Sequence, residues 1–144
     1  MSPQFGDRLH LVAPGHPDLP WHGFDAVVIS HVLEHLEDPV GFLGRVYKIM
    51  NPDAVLYVAV PDIESLQFQL FGKRWEVISP LVHFHYFSEA TLSCALRECA
   101  FTDLERIDHA HVREEFVPRW IRLMRKLGGT DAGELAILSR RPNL

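Results

Sequence analysis

The chain has 144 residues, enough for one domain with a buried core. Hydrophobic residues make up 47% and charged residues 23%, which excludes the disordered and collagen-like classes. A formal net charge of −5 argues against a nucleic-acid or membrane-surface binder, since either would need a basic field. No stretch approaches the ~18 apolar residues that cross a bilayer. The opening MSPQFGDRLH lacks the basic start and apolar run of a signal peptide, so a cytoplasmic location is expected. Cys94 and Cys99 are spaced to suit neither a disulfide nor a zinc knuckle, and both are expected to be small buried apolar residues.

The first twenty-odd residues read as loop, because Pro14, Gly15, Pro17 and Pro20 break any long element and only Leu9–Val12 could be a strand. Phe24–Ser30 follows, a short β-branched run that is apolar on both faces over Ala26–Ile29, as in a strand inside a parallel sheet. His31–Leu36 reads as a helical turn or two. Asp38 can then cap a helix with Pro39 at its first position, where the missing N–H costs nothing. Val40, Leu43, Val46, Tyr47 and Met50 recur at threes and fours, so one face is buried, and Asn51-Pro52-Asp53 stops it.

Ala54–Val60 is a second buried strand, ended by Pro61-Asp62. Ile63–Phe71 reads as a short helix before Gly72, and the aromatic, histidine-rich stretch Trp75–Phe87 as loop. Ser88 is a good N-cap for a helix with Leu92, Leu96 and Cys99 on its apolar side. Phe101–Ile107 is a strand, Glu114–Leu127 a helix ended by Gly128-Gly129, and Glu134–Ser139 a last strand. In that helix Arg119, Arg122, Arg125 and Lys126 are expected on the wet face. The alternation indicates an α/β protein with a mostly parallel sheet, and such sheets bind ligands at the carboxyl ends of their strands. Two ends matter: Ser30-His31 and Pro61-Asp62.

The run Phe24-Asp25-Ala26-Val27-Val28-Ile29-Ser30-His31-Val32-Leu33-Glu34-His35-Leu36-Glu37-Asp38-Pro39 closely resembles the fourth-strand motif of class I S-adenosylmethionine-dependent methyltransferases. The group is the one that includes ubiquinone-biosynthesis-like small-molecule methyltransferases. The likeness continues through Val58–Asp62, Gly72–Trp75, His83–Ser88, Leu92 and Ala100-Phe101, and Leu19-Pro20-Trp21 resembles the loop before the fourth strand. It implies a partial Rossmann-like sheet, strands four to seven with the last pair antiparallel, and an amino-terminal half that is missing. Residues 1–23 would be a loop-rich segment with a remnant third strand, and 24–144 the carboxyl-terminal half of the domain. The family reaction moves a methyl group from a sulfonium to a nucleophilic atom, and the enzyme contributes chiefly alignment.

The family's glycine loop, Gly-x-Gly after the first strand, occurs nowhere in the sequence. Nor does the span before Phe24 have room for the first two strands and their helices. Without neighbours the strand Asp25–Ser30 would sit at an edge, so the expectation is either a fragment of a longer domain or an edge covered by a second copy, another protein or the amino-terminal segment. The resemblance implies S-adenosylmethionine as cofactor and, as its contacts, Asp18 (the nearest acid to the adenine position), Leu19, Ser30, His31 and Val32. The isolated chain is expected to bind it weakly or not at all.

His31 and His35, four apart with Glu34 beside them, match the H-x-x-E-H pattern of inverzincin peptidases, but Asp38-Pro39 interrupts the long helix such a site needs. Some related methyltransferases hold a divalent ion with a Glu-x-x-Glu-His segment and a later histidine. Here that set would be Glu34, His35 and His83, with His31 in place of the first glutamate, and imidazole with carboxylate would suit zinc better than magnesium. The expectation is nonetheless a metal-free site, with His31 against the cofactor and His35 lining the acceptor pocket or bonding a backbone carbonyl. His83 and His85 alternate with Phe84 and Tyr86 and can face one way, either as base and acceptor-orienting groups or as loop anchors. His35 and His85 are the catalytic candidates, and His83, Tyr86 and Trp75 the acceptor-binding ones, although Trp75 also suits packing. His109 and His111 are expected to be solvated. Two functions compete: methyl transfer to a small-molecule acceptor, and a non-catalytic remnant or interaction module that has lost the cofactor.

Overall fold

The computed structural model describes residues 22–75, 77–107 and 133–143. Asp18, Leu19, the Leu9–Val12 strand, His109, His111 and the Glu114–Leu127 helix with its arginines lie outside them. The elements are β1 (Phe24–Ser30), a 3-10 turn (Leu33–His35), α1 (Pro39–Ile49), β2 (Met50–Pro61), α2 (Leu66–Phe71), a second 3-10 turn (Gly72–Arg74), α3 (Glu89–Glu98), β3 (Thr102–Ile107) and β4 (Glu134–Arg140). They form an α/β fold around a four-stranded mixed sheet of order β1-β2-β4-β3. β1 and β2 run parallel, with Ile29 beside Val58 and Ser30 beside Ala59. β4 lies antiparallel between β2 and β3, so the last two strands are the expected antiparallel pair.

Local chemistry sets the helix ends. The Asp38 carboxylate accepts a hydrogen bond from Gly41 N at 2.8 Å, with Pro39 in the first turn. A Cβ on Gly41 would collide with that carboxylate, so the glycine lets the cap close. At α3, Ser88 Oγ accepts from Thr91 N while Thr91 Oγ1 accepts from Ser88 N, a reciprocal capping box. Each cap contributes about 1 kcal/mol. The residues His31–Leu36 make only one 3-10 turn, and β2 starts four residues before the expected Ala54, directly at the end of α1.

The core lies between the sheet and the helices. Leu56, Val58 and Val60 of β2 meet Leu43 and Val46 of α1, Leu92 and Leu96 of α3, and Leu135 and Ile137 of β4, all buried in one cluster. The opposite face carries Val28, Tyr57 and Leu138, which sit side by side in register. Val28 is 71% exposed there, and of Ala26–Ile29 only Ile29 is buried. That corrects the reading of a strand covered on both faces. The physical reason is position: among the described residues β1 pairs only with β2 and forms the sheet edge. The cysteines also differ from expectation, Cys94 being exposed and Cys99 half-buried. Burial, then Glu98 and Asp38, pushes the Cys99 thiol pKa up. No helix among the described residues is long and apolar enough to cross a membrane.

Candidate functional site

The carboxyl ends of the two parallel strands define one rim of the sheet. At the end of β1, His31 N still donates to Ala59 O of β2 at 3.0 Å, and the chain then turns through a left-handed His31 conformation, φ 53°. Histidine tolerates that region better than branched residues, and such turns concentrate where a chain must change direction at a site. The turn throws Leu33 into the core and buries Glu34 beneath the rim, while His31 and His35 stay exposed.

The histidine loop returns to the same place. Its carboxyl end is tied to β2 through Ile63 N donating to Phe87 O at 3.0 Å and the Asp62–Phe87 bridge. Its middle is tied to the β1 turn, where Glu34 O accepts from Phe84 N at 2.8 Å and His85 N at 3.3 Å. Two segments almost fifty residues apart are thereby held in register by backbone bonds.

Side chains complete the arrangement. His35 Nδ1 donates to Val82 O at 2.8 Å, and His83 Nδ1 donates to Val77 O at 2.7 Å. A carbonyl can only accept, so each neutral ring keeps its proton on Nδ1 and leaves the Nε2 lone pair free. The two rings meet edge to face, centroids 4.6 Å apart. Glu34, only 1% exposed, lies below them, with Oε1 3.9 Å from His35 Nε2. His31 stands between two carboxylates, Nδ1 3.2 Å from Glu34 Oε1 and Nε2 3.4 Å from Glu134 Oε1. Two buried polar atoms here, Glu34 Oε2 and Tyr86 Oη, have no hydrogen-bond partner.

The other named residues separate into rim and packing. Ser30 and Val32 flank His31 and are exposed. His85 Nε2 donates weakly to Glu37 O at 3.4 Å, which holds that ring above the turn. Tyr86 packs against His83, ring centroids 6.2 Å apart. Trp75 is buried against Phe68 and donates through Nε1 to Gln67 Oε1 at 3.0 Å, so it braces α2. Sequence reasoning missed Glu134. It opens β4, and an antiparallel strand beside β2 must begin where β2 ends, so topology was the signal. The second strand end is structural. Asp62 is buried, accepts from Glu64 N at 2.8 Å, and pairs with Arg106, which also reaches Glu89.

A parallel pair whose carboxyl ends carry a polar, histidine-rich rim is the ligand-binding geometry of Rossmann-like sheets. The family model described as a methyltransferase domain matches residues 6–106, and the chain belongs to that family. Among solved structures it is similar to a SAM-dependent methyltransferase from Archaeoglobus fulgidus, at 25% identity and TM-score 0.56, over 85% of this chain and 61% of that one. A SAM-dependent methyltransferase from Thermotoga maritima aligns at 17% identity and TM-score 0.63, over 86% and 59%. Human N-acetylserotonin methyltransferase in complex with SAM aligns at 17% identity and TM-score 0.54, over 83% and 30%. The chain therefore spans about three fifths of the length of the first two. No curated protein sequence matches. The fold is thus that of the class I, SAM-dependent methyltransferases, in part.

The described residues fit one wall of a cofactor site and no more. Ser30, His31 and Val32 offer an exposed shelf at the rim. The sequence has no Gly-x-Gly loop to let backbone approach the cofactor closely.

Proposed function

We propose that the chain supplies the acceptor side of S-adenosylmethionine-dependent methyl transfer to a small molecule. The observation that carries this reading is the convergence of His35, His83 and His85 with Glu34 at the carboxyl ends of β1 and β2. Ser30, His31 and Val32, with Asp18 and Leu19, would contact the cofactor, which supplies a methyl group on a sulfonium. His31, tied to Glu34 and Glu134, fixes the shelf on which it would rest. His83 and the unpartnered Tyr86 hydroxyl would bind the acceptor. His35, with a free Nε2, and His85 are the groups that could orient it and take its proton, since a neutral imidazole carries one nitrogen lone pair able to accept it. Trp75 acts on the acceptor only through the α2 packing it braces.

The side of β1 that has no partner among the described residues is where the remaining strands of a whole domain, the amino-terminal segment, a second copy or another chain would pair. Residues 1–23 would form the segment leading into the half-domain of residues 24–144. With a shelf but no glycine loop, cofactor affinity falls in the millimolar range, ~4 kcal/mol of binding free energy. A thermal-shift titration with S-adenosylhomocysteine tests this reading, because a ligand of the folded form must raise the melting temperature. The expected result is a saturable rise at millimolar ligand. No rise at all would favour the second reading, a non-catalytic module of the same fold, which the missing glycine loop supports.

A further inference from the structure

We infer that the acceptor taken at this rim is a primary amine, bound as its ammonium by Glu34, His35 and His83. The inference rests on the acceptor-side reading and names the substrate class of that same site. Both rings have their Nδ1 proton committed to a backbone carbonyl, of Val82 and of Val77, so each presents a lone pair at Nε2. Glu34 is buried, and its Oε2 has no partner. Among the described residues its carboxylate meets only histidines, and no lysine or arginine. The free groups of these three side chains are thus all hydrogen-bond acceptors, and the matching guest is a cation rich in donors.

Donor count and charge separate an ammonium from other acceptor groups. One Glu34 oxygen and one nitrogen from each ring lie within 4.8 Å of one another, with Glu34 Oε1 3.9 Å from His35 Nε2. Three acceptors about 2.9 Å from one tetrahedral nitrogen stand up to about 4.7 Å apart, so a small opening of the exposed His35 ring lets all three reach one ammonium. A hydroxyl brings one donor and leaves two of the three groups unmet. A carboxylate or phenolate brings none and sets like charge beside Glu34. Glu134, 3.4 Å from His31 Nε2, adds a second negative group to the rim. A buried carboxylate with an oxygen unpartnered is costly unless a cation reaches it, so burial also favours the charged guest. Val82 and Phe84 are exposed on the segment bonded to His35 and Glu34, and would meet the apolar part of the amine.

An ammonium must lose a proton before it can react. The N–H donated to His35 Nε2 passes its proton to that lone pair, and the neutral amine stays bonded to Glu34 and His83. The freed nitrogen pair then forms a bond to the methyl carbon of the sulfonium as the carbon–sulfur bond breaks, leaving a thioether and a methylated ammonium. The cationic His35 opposes that cationic product, which favours its release. Amine preference is measured with no cofactor present. It can fail while S-adenosylhomocysteine still raises the melting temperature, and the reverse also holds.

The test is a titration of the full chain with benzylamine, benzyl alcohol and benzoate, three ligands of one shape, followed through the imidazole nitrogen resonances. The expected result is a saturable shift with benzylamine at the Nε2 signals of two histidines that carry their proton on Nδ1. Benzyl alcohol should bind about tenfold more weakly or worse, and benzoate not at all, in line with the loss of bonds to a charged group. Glu34→Gln should weaken benzylamine about tenfold or more and leave benzyl alcohol unchanged. No saturable shift with benzylamine, alcohol or benzoate binding as tightly as the amine, or indifference of the amine to Glu34→Gln would overturn the proposal. Should that variant fail to fold, the ranking of the three ligands on the unsubstituted chain decides.

Discussion

β1 and β2 run side by side with the same kind of apolar, β-branched sequence, yet the fold treats them differently. β2 is flanked on both sides, and Leu56, Val58, Ala59 and Val60 are all buried. Among the described residues β1 is flanked on one side, and Val28 stands 71% exposed on a face where its neighbour Tyr57 is half-covered. Burial and the Glu134 carboxylate still raise the Tyr57 phenol pKa, so that face is drier at β2 than at β1. Composition reports the environment a strand is suited to, whereas its place in the sheet decides what covers it. The shared carboxyl rim survives the difference because the β1–β2 register and the Glu34 carbonyl bonds fix it locally.

The comparison can be broken by substitution. Leu56→Ala on the central strand should cost about 2–5 kcal/mol in chemical denaturation, the range for a fully buried leucine. Ser88→Ala removes the cap that starts α3 just after the histidine loop, and should cost about 1 kcal/mol. Val28→Thr should change stability by no more than about 0.5 kcal/mol, as surface positions do. A cost at Val28 approaching that at Leu56 would mean that the amino-terminal segment, a second copy or another chain covers β1 in solution. Repeating the measurement across protein concentrations would then show it, since assembly makes stability concentration-dependent.

Much of this architecture was legible in the sequence because its signals are local. Asp38-Pro39 and Ser88 announced their helices through capping chemistry that spans three or four residues. The fourth-strand motif and the histidine loop announced the family, and the family match over residues 6–106 bears that out. The His35–His83 meeting was less legible from the residues themselves, because spacing along the chain says nothing about two rings 48 residues apart. The family resemblance, which grouped Glu34, His35 and His83 as a weaker alternative, brought them together. The bond from His35 to a carbonyl was anticipated as one alternative, and Val82 is the acceptor. The Glu34 orientation and the Glu134 contact to His31 depend on β4 entering beside β2, which no local pattern encodes. Cys94 was misplaced for a simpler reason: it sits on the outer side of α3, away from Leu92 and Leu96.

We propose that the chain supplies the acceptor side of methyl transfer, with Ser30–Val32 meeting the cofactor as a shelf rather than a cradle. Calorimetric titration of the chain with S-adenosylhomocysteine tests it most directly. The account predicts no binding in the micromolar range and a weak, millimolar interaction centred on Ser30–Val32. One-to-one binding at micromolar affinity would contradict it.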